Sequence, residues 1–115
     1  MKETILDSSF ILTCVKQKID FFREIPLMGI KIIIPEQVIG EIKRLKNPNP
    51  ELALKLLGKN SFKKISLGKA HVDKLIIKFA KENPKVIVAT LDREIKKKTK
   101  NQKLVVRGRK KLEII

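Results

Sequence analysis

Three short runs of apolar, largely β-branched residues lack the alternation of polar and apolar side chains that marks a half-exposed strand. They lie at 4–6, 31–34 and 86–90, and the last, Val-Ile-Val-Ala-Thr, is nearly continuous. A strand that is apolar on both sides belongs in a sheet covered on both faces, which is typical of parallel sheets. Because amphipathic stretches separate the runs, the pattern predicts an α/β fold with three layers, α/β/α, around a central, mainly parallel sheet.

The predicted elements alternate along the chain. Strands are predicted at 4–6, 31–34, 62–65, 86–90, 104–106 and 112–115, and helices at about 9–17, 19–24, 35–45, 51–57, 71–81 and 93–100. Pro35 suits the first position of its helix, Gly58 suits a helix end, and the Asn-Pro-Asn-Pro segment at 47–50 indicates a turn. With no internal repeat or long linker, residues 1–115 are expected to form a single domain.

The chain is strongly basic, with a formal net charge of +15 on 115 residues. Such a balance predicts an acidic partner: nucleic acid first, an anionic membrane surface second and an acidic protein third. Cys14 is the only cysteine, which excludes an internal disulfide. No signal-peptide pattern opens the sequence and no apolar run approaches the ~20 residues of a membrane helix, so a cytoplasmic location is expected.

Against this basic background, four acids lie at the ends of apolar elements. Asp7 and Asp92 directly follow predicted strands, Glu41 lies two helical turns beyond the strand at 31–34, and Asp73 lies in the first turn of a helix. Ligands of parallel sheets bind beyond the carboxyl ends of the strands. We therefore expect these carboxylates to face one edge of the sheet.

Each acid taken alone also has a structural explanation. Asp92 could cap the helix that follows it, and Asp73 could favour a helix start because the helix dipole attracts negative charge there. Glu41 could pair with Lys43 or Arg44. As a set, however, carboxylate oxygens select Mg²⁺ or Mn²⁺, and a hard cation beside a basic, polyanion-binding surface is the layout of a metal-dependent nuclease.

Other chemistries find little support in the sequence. Zinc is disfavoured because His71 is the only histidine and Cys14 the only cysteine. No Gly-x-Gly or Gly-Lys-Ser/Thr segment occurs, which disfavours nucleoside triphosphate chemistry.

The four acids stand in motifs that resemble those of the PIN-domain ribonuclease family. Asp-x-Ser/Asn/Thr, Pro-x-x-Val-x-x-Glu, Asp-x-x-Ile-x-x-x-Ala and Ala-Thr-x-Asp begin at Asp7, Pro35, Asp73 and Ala89, in that order. The segments Ala-Thr-Leu-Asp-Arg-Glu-Ile-Lys-Lys-Lys and Val-Val-Arg-Gly-Arg-Lys-Lys-Leu-Glu-Ile look most like small archaeal PIN proteins related to the small-subunit rRNA-processing endonuclease.

The resemblance implies a PIN-like fold and a Mg²⁺- or Mn²⁺-dependent endoribonuclease that cleaves single-stranded RNA by metal-activated water, in rRNA processing. It implies that Asp7, Glu41, Asp73 and Asp92 are the catalytic metal ligands, that pre-rRNA and ribosomal or assembly proteins are partners, and that a homodimer can form. One departure is Lys74, which follows Asp73 where such relatives often have a second acid. Two alternatives stay open: a PIN-like RNA-binding module of ribosome assembly that cuts nothing, and a ribonuclease toxin of a toxin–antitoxin pair.

Supporting residues are expected around the acids. Ser9 and Thr90 would position carboxylates or water, and Glu94 is either an outer acid of the site or a surface residue of its helix. RNA phosphates are expected to contact six basic residues: Arg44, Arg93, Lys97, Arg107, Arg109 and Lys110. Plain solvation is favoured for Lys43, Lys55 and Lys78. Because clustered acids repel one another, at least one carboxyl pKa should be raised.

Overall fold

The computed structural model describes residues 2–45, 48–108 and 110–115. In these ranges the strands are β1 (Lys2–Leu6), β2 (Ile30–Pro35), β3 (Lys63–Ile65), β4 (Ile87–Ala89), β5 (Lys103–Arg107) and β6 (Lys111–Ile114). The helices are α1 (Ser8–Lys16), α2 (Phe21–Leu27), α3 (Glu36–Lys43), α4 (Pro48–Lys59), α5 (Val72–Glu82) and α6 (Arg93–Lys98). The predicted α/β class is confirmed: a mainly parallel sheet is flanked by helices.

The sheet has the strand order β3-β2-β1-β4-β5-β6, and only the β5–β6 pair is antiparallel. From β1 the chain builds outward to β2 and β3 on one side, and β4 and β5 then extend the other side. The strand order therefore reverses between β1 and β4. A crevice opens at such a reversal, beyond the carboxyl ends of the two strands, and ligands of open α/β sheets bind there.

The apolar runs that predicted the sheet form its core. Ile5, Leu6 and all three residues of β4 are fully buried, because helices cover both sides of these central strands. A side-chain hydrogen bond also joins β1 to β4, in which the Thr4 hydroxyl donates to the Ile87 carbonyl at 2.9 Å. The register of the two strands at the site is thereby held by a side chain as well as by the backbone ladder.

The fourth helix corrects two expectations. Gly58 does not close it, and the predicted turn at 47–50 is helical from Pro48 onward; Asn47 lies outside the described residues. Both prolines fall in the first turn, where the backbone N–H groups have no partner within the helix, so a missing N–H costs nothing there. At 12 residues α4 is the longest of the described helices, and none of them is long and apolar enough to cross a membrane.

A buried asparagine fastens the connection before β5 to the connection before β4. The Asn101 side-chain amide donates to the carbonyls of Ala80, Asn83 and Val86 at 3.1, 3.0 and 2.8 Å. These carbonyls lie at the end of α5 and in the connection that follows it, and those of Ala80 and Asn83 also accept from the N–H groups of Asn83 and Val86. One side chain therefore cross-links the end of α5 and the connection to β4.

We expect Asn101→Ala to lower the free energy of unfolding by about 1–3 kcal/mol, because it removes a buried side-chain donor from three carbonyls. Denaturant unfolding measures this loss. The matched control is Asn60→Ala, which removes an exposed asparagine that donates to the Leu56 carbonyl at 2.9 Å. That change should stay within about 0.5 kcal/mol; equal effects for both variants would contradict the role given to Asn101.

Candidate functional site

Asp7 lies where β1 ends and α1 begins. Its N–H donates to the Ala89 carbonyl at 3.0 Å, which continues the β1–β4 ladder by one residue. The side chain is only 3% exposed and caps α1, with Oδ1 accepting from the Ser8 N–H at 2.8 Å. Oδ2 accepts from the hydroxyls of Ser9 and Thr90, each at 2.8 Å. Three donors thus hold one buried carboxylate in a single orientation.

The two hydroxyls that hold Asp7 also hold the loop after β4. Ser9 Oγ accepts from the Leu91 N–H at 3.1 Å, and Thr90 Oγ1 accepts from the Asp92 N–H at 3.0 Å. Each hydroxyl donates in one direction and accepts in the other, so neither is left unsatisfied. The position of Asp92 is therefore tied through Thr90 to the orientation of Asp7.

Asp92 caps a helix with one carboxylate oxygen and leaves the other without a donor from the described residues. Its Oδ1 caps α6 by accepting from the N–H groups of Glu94 and Ile95, at 2.8 and 3.2 Å. No donor from the described residues reaches Oδ2. Glu94 contributes to this site through its backbone, whereas its exposed carboxylate pairs with Lys98 at 3.3 Å.

Glu41 is half-buried on α3 and is held by a residue that the sequence analysis missed. The Ser8 hydroxyl donates to Glu41 Oε1, which links the start of α1 to α3 across 33 positions in the sequence. Ser8 is the middle residue of the Asp-Ser-Ser motif, so its proximity to Asp7 was visible. Its contact with Glu41 depends on how α1 and α3 pack.

Asp73 completes the set of acids from the first turn of α5. The residue as a whole is exposed, yet desolvation by the surrounding protein raises the pKa of its carboxyl above 3.8. The charges of Asp92, Asp7 and Glu41 raise this pKa further, while His71 lowers it. The expectation that at least one carboxyl pKa is raised is confirmed for Asp73, and the other three acids lie close enough to contribute to that rise.

The donor set fits a hard divalent cation in its chemistry. All four candidates are carboxylates, and within the described residues no protein donor reaches Asp92 Oδ2, Glu41 Oε2 or the Asp73 carboxylate. In their present rotamers no three described His, Cys, Asp or Glu side chains are grouped closely enough to hold a metal ion. Coordination would therefore require the more exposed side chains of Glu41, Asp73 and Asp92 to converge on the fixed Asp7.

The basic residues expected to bind RNA fall into two groups. Arg44 caps the end of α3, Arg93 begins α6 next to Asp92, and Lys97 lies on the same helix; all three are exposed. The other group lies on the β5–β6 hairpin. Arg107 pairs there with Glu113 at 3.5 Å, and Lys110 lines a groove with residues of the α1–α2 connection, at the opposite end of α1 from Asp7. Arg109 lies outside the described residues.

Cys14 has no part in the site. It is fully buried on α1, and burial, followed by the charge of Glu24, raises the pKa of its thiol to about 12. A thiol that stays protonated is neither a nucleophile nor a metal ligand at neutral pH.

Comparison with known proteins gives three findings. A sequence model of the family described as PIN like domain matches residues 4–111 of the chain. Ribonuclease VapC4 of Methanocaldococcus jannaschii is 32% identical over 127 residues, an alignment covering 99% of this chain and 97% of that protein. The chain also superposes on the solved structure of the PIN domain endonuclease Utp24 with a TM-score of 0.83 and 23% sequence identity. The superposition covers 97% of this chain and 90% of the other, and it shows that the two folds are alike.

We expect Ser8→Ala to weaken Mn²⁺ binding about 10-fold, because Glu41 loses the hydroxyl that orients it. The measurement is the Mn²⁺ concentration needed to raise the melting temperature. Ser8→Thr, which keeps the hydroxyl, should restore the wild-type response, and the exposed Ser61→Ala is the matched control. If Ser8→Ala and Ser61→Ala bind Mn²⁺ alike, Ser8 does not position Glu41 for a metal.

We expect Asp73→Asn to raise the melting temperature of the metal-free protein at neutral pH, because it removes a charge that the other acids repel. The rise should be only about 1–4 °C, because repulsion between exposed charges is weak. A raised pKa means that the folded state favours the protonated acid, so wild-type stability is lost as pH rises through that pKa. Thermal unfolding in EDTA should show the difference at pH 7. It should disappear in the most acidic buffer in which the wild type folds.

The matched control for this pH effect is Asp20→Asn. Asp20 is exposed and makes no side-chain capping bond, so its removal changes the net charge without touching the site. A neutral-pH gain for Asp20→Asn as large as that for Asp73→Asn would contradict a repulsion specific to the four acids.

Proposed function

The chain belongs to the PIN-like domain family, and we propose from this membership that it is a Mg²⁺- or Mn²⁺-dependent endoribonuclease acting on single-stranded RNA. The observation that carries the proposal is the Asp7 carboxylate, buried at the strand-order reversal and held by the hydroxyls of Ser9 and Thr90. A buried acid oriented by several donors beside three further acids suits a preorganised ligand set. The net charge of +15 suits a polyanionic substrate.

In this proposal Asp7, Glu41, Asp73 and Asp92 would hold the cation. When bound, the cation would supply a Lewis acid that activates water and neutralises charge on the phosphate and the leaving oxygen. The protein contributes a fixed Asp7, an Asp92 whose Oδ1 is anchored by α6, and a Glu41 oriented by Ser8. Desolvation, and after it the charges of the other three acids, raise the pKa of Asp73, and a bound cation would offset both effects.

Basic residues around the acids support an RNA substrate. Arg44, Arg93 and Lys97 would contact phosphates on either side of the scissile bond, which makes binding strongly salt-dependent. Water is the nucleophile in this scheme, so the expected products carry a 5′-phosphate and a 3′-hydroxyl. The RNA 2′-hydroxyl would then serve recognition rather than chemistry.

We place this activity in rRNA processing, with pre-rRNA as substrate and ribosomal or assembly proteins as partners. The motif resemblance noted in the sequence supports this role, and the toxin alternative differs from it in biology but not in chemistry. A second candidate function is an RNA-binding module of ribosome assembly that does not cleave. Lys74 favours it, because that residue replaces an acid that relatives often carry beside Asp73.

We expect the wild type to cleave a 5′-labelled structured RNA with single-stranded loops in Mn²⁺ or Mg²⁺ but not in EDTA. Asp7→Asn should lower the cleavage rate at least about 100-fold. Replacing a residue that merely hydrogen-bonds to a metal ligand already lowers metal affinity or activity about 10–100-fold. The same substitution should abolish any rise in melting temperature caused by Mn²⁺, because a ligand that binds only the folded state stabilises it.

Asp20→Asn is again the matched control, since it removes an equivalent charge at an exposed position. Cutting that survives both EDTA and Asp7→Asn would identify a contaminating nuclease. If the wild type and Asp7→Asn both bind the RNA tightly and in a salt-sensitive way but neither cleaves it, the non-cleaving module would be favoured over the nuclease.

A further inference from the structure

Two adjoining grooves run along α5 and α6, and lysines make up at least half of the described residues that line each of them. Lys74, Lys78 and Lys81 line the first groove together with Lys98 of α6. Lys81 and Lys98 also line the second, which continues towards Lys100. Because two lysines are shared, the grooves form one continuous surface, which we call the α5–α6 lysine groove.

One end of this groove lies next to an acid of the site along α5. Lys74 directly follows Asp73, and Lys78 and Lys81 lie four and seven positions further along α5, on the same side of the helix. At 1.5 Å per residue, the row from Lys74 to Lys81 extends about 10 Å away from the site. An RNA strand that passes the four acids and continues along α5 would therefore meet a lysine at each turn of the helix.

The charge of the groove is hardly offset by acids. Glu82 is the one acid among the described residues that line it. Glu94 pairs with Lys98 at 3.3 Å, but both side chains are more than half exposed, so the pair is weak and readily exchanged for a phosphate. The half-buried Ile77 lies among the lysines. Among the described residues that line the two grooves, none is aromatic, so none offers a ring on which a base could stack.

We propose that the α5–α6 lysine groove binds the sugar–phosphate backbone of the RNA segment that flanks the cleavage site. The inference rests on the proposed function, because it takes the RNA from the acids along α5. Lysines without aromatic neighbours recognise phosphates as point charges and do not read bases. The groove therefore extends the length of RNA that is bound without adding sequence specificity.

The proposal revises the interpretation of Lys78. The sequence alone favours plain solvation for this residue. Its place between Lys74 and Lys81 on one groove wall, opposite Lys98, is information that only the packing of α5 against α6 provides.

The test compares two triple variants with equal loss of charge. The groove variant carries Lys74→Gln, Lys78→Gln and Lys81→Gln; the control carries Lys16→Gln, Lys55→Gln and Lys59→Gln, which are exposed positions on α1 and α4. Glutamine has nearly the helix propensity of lysine, so both variants should keep the fold. Binding of a ~20-nucleotide and a ~5-nucleotide single-stranded RNA is measured in EDTA, over a series of salt concentrations.

For the ~20-nucleotide RNA, the groove variant should show a plot of log affinity against log salt that is shallower by about 2, because each lost phosphate contact contributes about 0.7. The corresponding loss of affinity is about 100-fold at ~0.1 M salt, and it should be much smaller for the ~5-nucleotide RNA. The control variant should bind both RNAs with the wild-type slope.

Equal slopes for the groove and control variants would overturn the proposal. An equal loss of affinity for the short and the long RNA would also overturn it, since that outcome places the lysines at the acids and not along a flanking segment. These readouts are separate from catalysis. If the groove variant changes the slope but the wild type does not cleave RNA, the groove binds RNA and the nuclease assignment fails. If the wild type cleaves RNA but the slopes are equal, the nuclease assignment holds and the groove proposal fails.

Discussion

The parallel pairing of β1 with β4 is the constraint on which the site depends. The two strands are separated by about 80 positions in the chain, yet Thr4 pairs with Ile87 and Leu6 with Ala89. That register places Asp7 beside Thr90, and the hydroxyls of Ser9 and Thr90 then convert the adjacency into a fixed geometry. Because the strand order reverses at this pair, the same register also opens the crevice that the acids face.

Placing four acids close together is electrostatically unfavourable, and the basic surface of the protein does not cancel their repulsion. The pKa of Asp73 is raised first by desolvation and then by the negative charges of Asp92, Asp7 and Glu41. A chain with a net charge of +15 could have placed lysines among these carboxylates. Instead, the hydrogen bonds made by the acids come from hydroxyls and backbone N–H groups, which orient them without neutralising them. A site that keeps its negative charge retains its attraction for a cation.

Much of the fold could be predicted from the sequence because burial on both faces leaves a clear pattern. Continuous apolar strands, and helices with one apolar side, gave the order of elements and placed Asp7 and Asp92 at strand ends. What could not be predicted depends on packing: the contact between Ser8 and Glu41, the choice of Asp92 Oδ1 as the capping oxygen, and the position of Lys110 at the far end of α1. The start of α4 was misjudged for another reason, since prolines indicate both turns and first helical turns.

The burial of Cys14 has a practical consequence. Its thiol is fully enclosed and stays protonated, so alkylating reagents and mild oxidants should leave the folded protein untouched. It is also the only cysteine in the sequence. A cysteine introduced on the surface would therefore be the single addressable thiol, and a dye or photocrosslinker could be attached there without first removing the native one.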